Sequence, residues 1–97
     1  MSKKIRSESL NELFRAILCL KNEDECYRFF EDACTMNELL AISGRLEVAR
    51  LLHEGKTYNE IAEQTGASTA TISRVNRALL YGSDGYGLVL ERLEKSE

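Results

Sequence analysis

Apolar residues recur along this chain at helical spacing. Leu10, Leu13, Phe14, Ile17 and Leu18 fall on one face of a first predicted helix, and Cys26, Tyr27, Phe30, Ala33 and Cys34 on one face of a second. The longest stretch, roughly residues 36–54, carries Leu39, Leu40, Ile42, Leu46, Ala49 and Leu52, with His53 near its end and Gly55 placed as its stop. These stripes predict faces turned toward a core. Two short helices follow, about 58–65 and 69–80, separated by Gly66. The run from Tyr81 to Gly87, with Ser83, Asp84 and three glycines, breaks the pattern as a hinge, and Leu88, Leu90 and Leu93 mark a last amphipathic segment.

Helix-start signals agree with this reading. Ser9 with Glu12, Asn22 with Glu25, Thr35 with Glu38 and Thr57 with Glu60 each have the spacing in which a side-chain oxygen caps a backbone N–H and the acid reaches back. The chain has no proline. An all-α fold of six helices is expected, with residues 1–97 as a single domain free of linkers, repeats and low-complexity tracts.

Composition narrows the function. A chain of 97 residues buries only about 60–65% of the surface that its unfolded form exposes, so a deep enzymatic cleft is not expected and a core shared with a second copy is. The net charge of −3 argues against indiscriminate binding to nucleic acid. That deficit is local: residues 8–54 hold ten acids and five bases, while residues 57–81 balance Arg74 and Arg77 against Glu60 and Glu63. Lys3, Lys4 and Arg6 form a small basic arm, read as a solvated terminus able to lie along phosphates.

Cys19, Cys26 and Cys34 lack paired metal-site spacing, and their odd number suits a reducing compartment, so they are expected to be buried thiols. No metal and no cofactor is expected. No apolar run has signal-peptide or membrane-span length, and the expected location is the cytoplasm. His53, the sole histidine, has no second histidine to work with and is read as a solvated group near a helix end. The Gly-rich run at 81–87 lacks a phosphate-loop pattern. No nucleophile-and-base pairing supports an enzyme.

Residues 57–79 read as a helix-turn-helix. Ala62 is small enough to let a second helix cross closely, Gly66 supplies a left-handed turn, and Ile72 and Val75 face back onto the first helix. This leaves Ser68, Thr69, Ala70, Thr71 and Ser73 on or near the outer side, where short side chains reach base edges, with Asn59 on the preceding helix. Arg74 and Arg77, one turn apart, are placed for phosphates.

The segment from Thr35 to Leu79, above all Gly66-Ala67-x-x-Ala70-Thr71-Ile72-x-Arg74, resembles the tryptophan repressor family, in a branch related to the repressor itself. The resemblance implies an intertwined all-helical homodimer that binds double-stranded DNA at a palindromic operator. It also implies an effector site in which Thr35, Arg45 and Arg74 match ligand-holding positions. Three positions depart from the family's pattern: Val75 replaces a glycine lining the indole slot, Ala78 replaces a serine that receives the ligand's amino group, and Asp32 falls where an apolar or backbone contact is expected. Added bulk and a lost acceptor each weaken L-tryptophan binding, so any small-molecule effector is expected to be a different compound. Read without the resemblance, Arg45 is a surface ion-pair partner of Glu38, Glu47 or Glu54.

The function expected is therefore a sequence-specific transcriptional regulator, of repressor type, with no role at a membrane. The alternative is a helical protein–protein interaction module that keeps the repressor-like dimer core.

Overall fold

The computed structural model describes residues 6–96. Six α-helices run in order: α1 (Glu8–Ile17), α2 (Glu23–Ala33), α3 (Met36–His53), α4 (Tyr58–Thr65), α5 (Thr69–Tyr81) and α6 (Gly85–Lys95), and no strand occurs among the described residues. Two compact units divide the chain within α3. Leu39 and the described residues before it belong to one, Leu40 and those after it to the other.

Helix starts follow the predicted chemistry with two changes of register. Glu38 and Thr35 satisfy each other's backbone N–H groups at 2.8 and 3.1 Å, and Glu60 and Thr57 do the same at 2.8 and 3.1 Å. At α2 the Asn22 side chain accepts from the Glu25 N–H at 2.9 Å, but the Glu25 carboxylate accepts from Lys21 rather than from Asn22. At α1 the cap is Ser7, whose hydroxyl accepts from Leu10, and not Ser9. The helix begins two residues earlier than the Ser9–Glu12 pair implies, which leaves Ser9 inside the first turn. The end of α3 is closed by Gly55 at φ 88°, with Gly55 donating to the Leu52 carbonyl and Lys56 to that of Leu51. That double bond pattern is a Schellman stop.

The core lies in the unit from Leu40 onward. Val48, Ala49 and Leu51 of α3, Ile61 of α4, Ile72 and Val75 of α5, and Leu90 of α6 are buried together. Leu46, Leu52, Ala62, Ala67, Leu79 and Tyr86 pack around them. Removing an aliphatic side chain of this size from water is worth about 1.5–3 kcal/mol, and most of these residues are valine, leucine or isoleucine.

In the other unit the expected core faces are not buried. No residue of α1 or α2 is buried: Phe14 is 54% exposed, Leu18 82% and Tyr27 66%. The cysteine expectation fails for the same reason. Cys19 and Cys26 are exposed and Cys34 is half-buried, with the Cys19 thiol donating to the Arg15 carbonyl at 3.3 Å. The amphipathic spacing is real, but among the described residues these faces stay exposed. On α3, likewise, Leu40 and Ile42 are exposed while Val48 and Leu51 are buried.

The Tyr81–Gly87 hinge shrinks to residues 82–84, because Gly85, Tyr86 and Gly87 form the first turn of α6. A Cβ on Gly82 would lie 2.5 Å from the Ala78 carbonyl oxygen, so the glycine serves close backbone approach at the end of α5. Asp84 takes the left-handed conformation at φ 64° and places no side-chain cap on α6.

Candidate nucleic-acid interface

The two helices α4 and α5 are joined by a turn that its own side chains lock. Gly66 adopts φ 76° and donates to the Ala62 carbonyl at 2.9 Å. Thr65 donates its hydroxyl to the Ile61 carbonyl at 2.8 Å and accepts from the Ala67 N–H at 3.1 Å. Ser68 then caps α5, accepting from the Thr71 N–H at 3.1 Å and donating to the Thr71 hydroxyl. The turn therefore has a defined geometry before any partner is considered.

At the start of α4, Glu60 holds the cap of the helix-turn-helix. Its carboxyl sits below its ordinary value of 4.5 because the Thr57 backbone N–H donates to it, with further help from the Thr57 hydroxyl and the charge of Lys56.

The faces of α5 separate cleanly. Ile72 and Val75 are buried against the core, whereas Thr69, Ala70, Ser73, Arg74 and Arg77 are exposed. Asn59 of α4 is exposed too. Thr71 is half-buried, and with Ser68 it forms a hydrogen-bonded capping unit. The outer face thus offers small side chains at the helix start and two guanidinium groups one turn apart. Neither Arg74 nor Arg77 makes an ion pair among the described residues. Such a surface fits a phosphate-flanked groove: short groups allow close approach, and the two cations face outward uncompensated.

The expected effector residues are distributed differently. Arg45 and Ala78 line one groove of about 480 Å3, together with Ile42, Leu46, Tyr86 and Val89. Arg74 is not among its lining residues. Thr35 belongs to the other compact unit, where its hydroxyl caps α3, and Asp32 is exposed on α2. Val75, at 3% exposure, is part of the core rather than the wall of an open slot. The ion-pair reading of Arg45 does not hold, since Glu47 and Glu54 pair with Arg50 at 3.8 and 3.1 Å and Glu38 accepts from the Thr35 N–H. The groove's other contributors, Ser83, Gly85 and Tyr86, were legible in sequence only as a turn. The useful signal was the i, i+4 pair Ile42 and Leu46 bracketing Arg45.

No helix among the described residues is long and apolar enough to cross a membrane, and no cluster of three or more His, Cys, Asp or Glu side chains there is placed to hold a metal ion.

Six helices carrying a helix-turn-helix at positions 58–81 place the chain among all-helical helix-turn-helix proteins. The model of the family described as Trp repressor protein matches residues 8–94, and the chain belongs to the tryptophan repressor family, a family of regulators rather than of enzymes. It is 55% identical to the uncharacterised protein YerC of Bacillus subtilis (strain 168) over 94 residues, covering 97% of this chain and 90% of that one. A TrpR-like protein of known structure from Eubacterium eligens ATCC 27750 is 59% identical, with a TM-score of 0.91 over 96% of both chains. A proposed Trp repressor from Staphylococcus aureus is 50% identical, also with a TM-score of 0.91 over 96% of both chains.

Proposed function

We propose that the chain is a sequence-specific DNA-binding regulator of repressor type, acting in the cytoplasm as a homodimer on a palindromic operator, with residues 1–97 working as one domain. The observation that carries this is the outer face of α5. Thr69, Ala70 and Ser73 read base edges, and Arg74 and Arg77 hold phosphates, assisted by Asn59 and by the Ser68–Thr71 cap. Support for the dimer comes from α1 and α2. A unit of fewer than about 40 residues whose two helices bury no side chain among the described residues needs a partner surface to be stable, and the exposed Phe14, Leu18 and Tyr27 provide one side of it.

A dimer presents two α5 helices about 34 Å apart, in successive major grooves. Selection of bound sequences from a random DNA pool tests the proposal: a palindromic consensus with that half-site spacing is the expected result. A strictly monomeric protein that retards no DNA fragment at low salt overturns it. The net charge of −3 favours a second reading, a helical interaction module that keeps the dimer core and turns α5 toward a protein partner. Steep loss of DNA binding with added salt separates the two, because phosphate contacts release counterions.

A further inference from the structure

We infer that α5 selects its operator through the C5-methyl groups of thymine: the methyls of Thr69 and Ala70 meet them in the major groove, so T·A pairs rather than guanine or cytosine define the half-site. The inference rests on the DNA-binding reading of the outer face and names what that face reads.

The groups at the start of α5 decide this. A recognition helix lies in the major groove with its N-terminal residues toward the base edges. Here two of the hydroxyls in that region are already engaged, because Ser68 donates to the Thr71 hydroxyl and accepts from the Thr71 N–H, both at 3.1 Å. The side chains of Thr69, Ala70 and Ser73 are exposed, and neither the Thr69 nor the Ser73 hydroxyl has a hydrogen-bond partner among the described residues. Ala70 therefore presents a methyl, Thr69 a methyl beside a hydroxyl, and Ser73 a hydroxyl alone.

Each base calls for a different side chain in the major groove. Guanine pairs with Arg or Lys in two parallel bonds and adenine with Asn or Gln, cytosine donates to Asp or Glu, and thymine offers its methyl to an apolar group. The first turn of α5 holds no cation, amide or carboxylate, and no acid occurs anywhere from Thr69 to Tyr81. The first cation, Arg74, lies five residues beyond Thr69, and the one amide of the helix, Asn76, is half-buried and lies seven beyond. The free hydroxyls make single bonds that suit several bases, so they add affinity without choosing. The methyls are left as the discriminating groups. Thr69 and Ala70 are consecutive, which puts the thymines they meet on neighbouring base pairs, ~3.4 Å apart along the duplex.

The test uses the full-length protein and a duplex taken from random-pool selection, remade with deoxyuridine in place of each half-site thymidine in turn. Uracil keeps the groove's hydrogen-bonding groups and lacks only the methyl. Anisotropy titration is expected to show about fourfold weaker binding for each contacted thymine replaced. Thr69→Ser keeps the hydroxyl and removes the methyl, so the uracil deficit should vanish at one of these thymines, and Ala70→Gly should abolish it at the neighbouring one. A deficit that arose from altered duplex shape would persist in both variants, so the cycle isolates the contact. The uracil comparison in the wild-type protein needs no variant and reads the contact even where Ala70→Gly loosens the helix.

Equal affinity of the wild-type protein for thymine and uracil duplexes, a consensus with no neighbouring T·A pairs in its half-site, or a deficit of the same size in wild type and both variants overturns the inference and leaves the regulator standing. A protein that retards no duplex at low salt overturns the regulator and this inference with it.

Discussion

Replacing Val75 with glycine separates two roles that the sequence leaves entangled. Val75 occupies a position where the tryptophan repressor pattern has a glycine beside a ligand slot, yet here it is 3% exposed and packs with Ile61 and Ile72 in the core. Val75→Gly removes three carbons, about 2.4 kcal/mol of transfer free energy at ~0.8 kcal/mol each. A residual cavity and a glycine in a helix interior add several tenths more, giving a loss of about 3 kcal/mol. For a chain of this size that lowers the melting temperature by roughly 12–25 °C. Thermal and urea unfolding followed by circular dichroism, at one fixed protein concentration, measure it. A loss under about 1 kcal/mol, or a Val75→Gly protein that L-tryptophan stabilises strongly, would show Val75 to be a plug in an open slot and refute the core assignment.

Three further outcomes are expected. Thr69→Glu should weaken operator binding more than tenfold, because it sets a carboxylate against phosphate, while leaving helicity unchanged or slightly raised, since an acid at a helix N-terminus is favourable by about 0.3–1 kcal/mol; gel retardation and circular dichroism read both. Arg74→Ala and Arg77→Ala should each reduce the slope of log affinity against log salt by about 1, and unchanged slopes would remove these residues from the phosphate contacts. The depressed carboxyl of Glu60 contributes stability above its ordinary value of 4.5 that is lost as pH falls through its lowered value in the folded chain. The stability gap between wild type and Glu60→Gln should therefore stay constant from about pH 6 to 8 and narrow in acid below about pH 4.5.

The helix-turn-helix was legible because its determinants are local. Gly66 must take a positive φ, Thr57 and Glu60 satisfy each other three residues apart, and Ile72 and Val75 fall on the inner face by helical period alone. The first half of the chain was legible only as pattern. The spacing of Phe14, Leu18 and Tyr27 specifies that a face is apolar but not which molecule covers it, so burial within one chain was the wrong inference for these side chains and for Cys19 and Cys26. The groove was hidden for a third reason. Its walls come from three helices, and Ser83, Gly85 and Tyr86 join Arg45 only after the 82–84 turn has returned α6 toward α3. No periodicity within one segment encodes that convergence.

The uncovered apolar face of α1 and α2 also carries a consequence for dosage. On the dimer reading, the folding free energy of those helices is paid by association, so the midpoint of their unfolding rises with protein concentration. The fraction of active regulator then depends on more than the first power of the amount synthesised. Halving expression would cut occupancy of the operator by more than half at low concentrations, and the chain would behave as a threshold element even with no ligand bound.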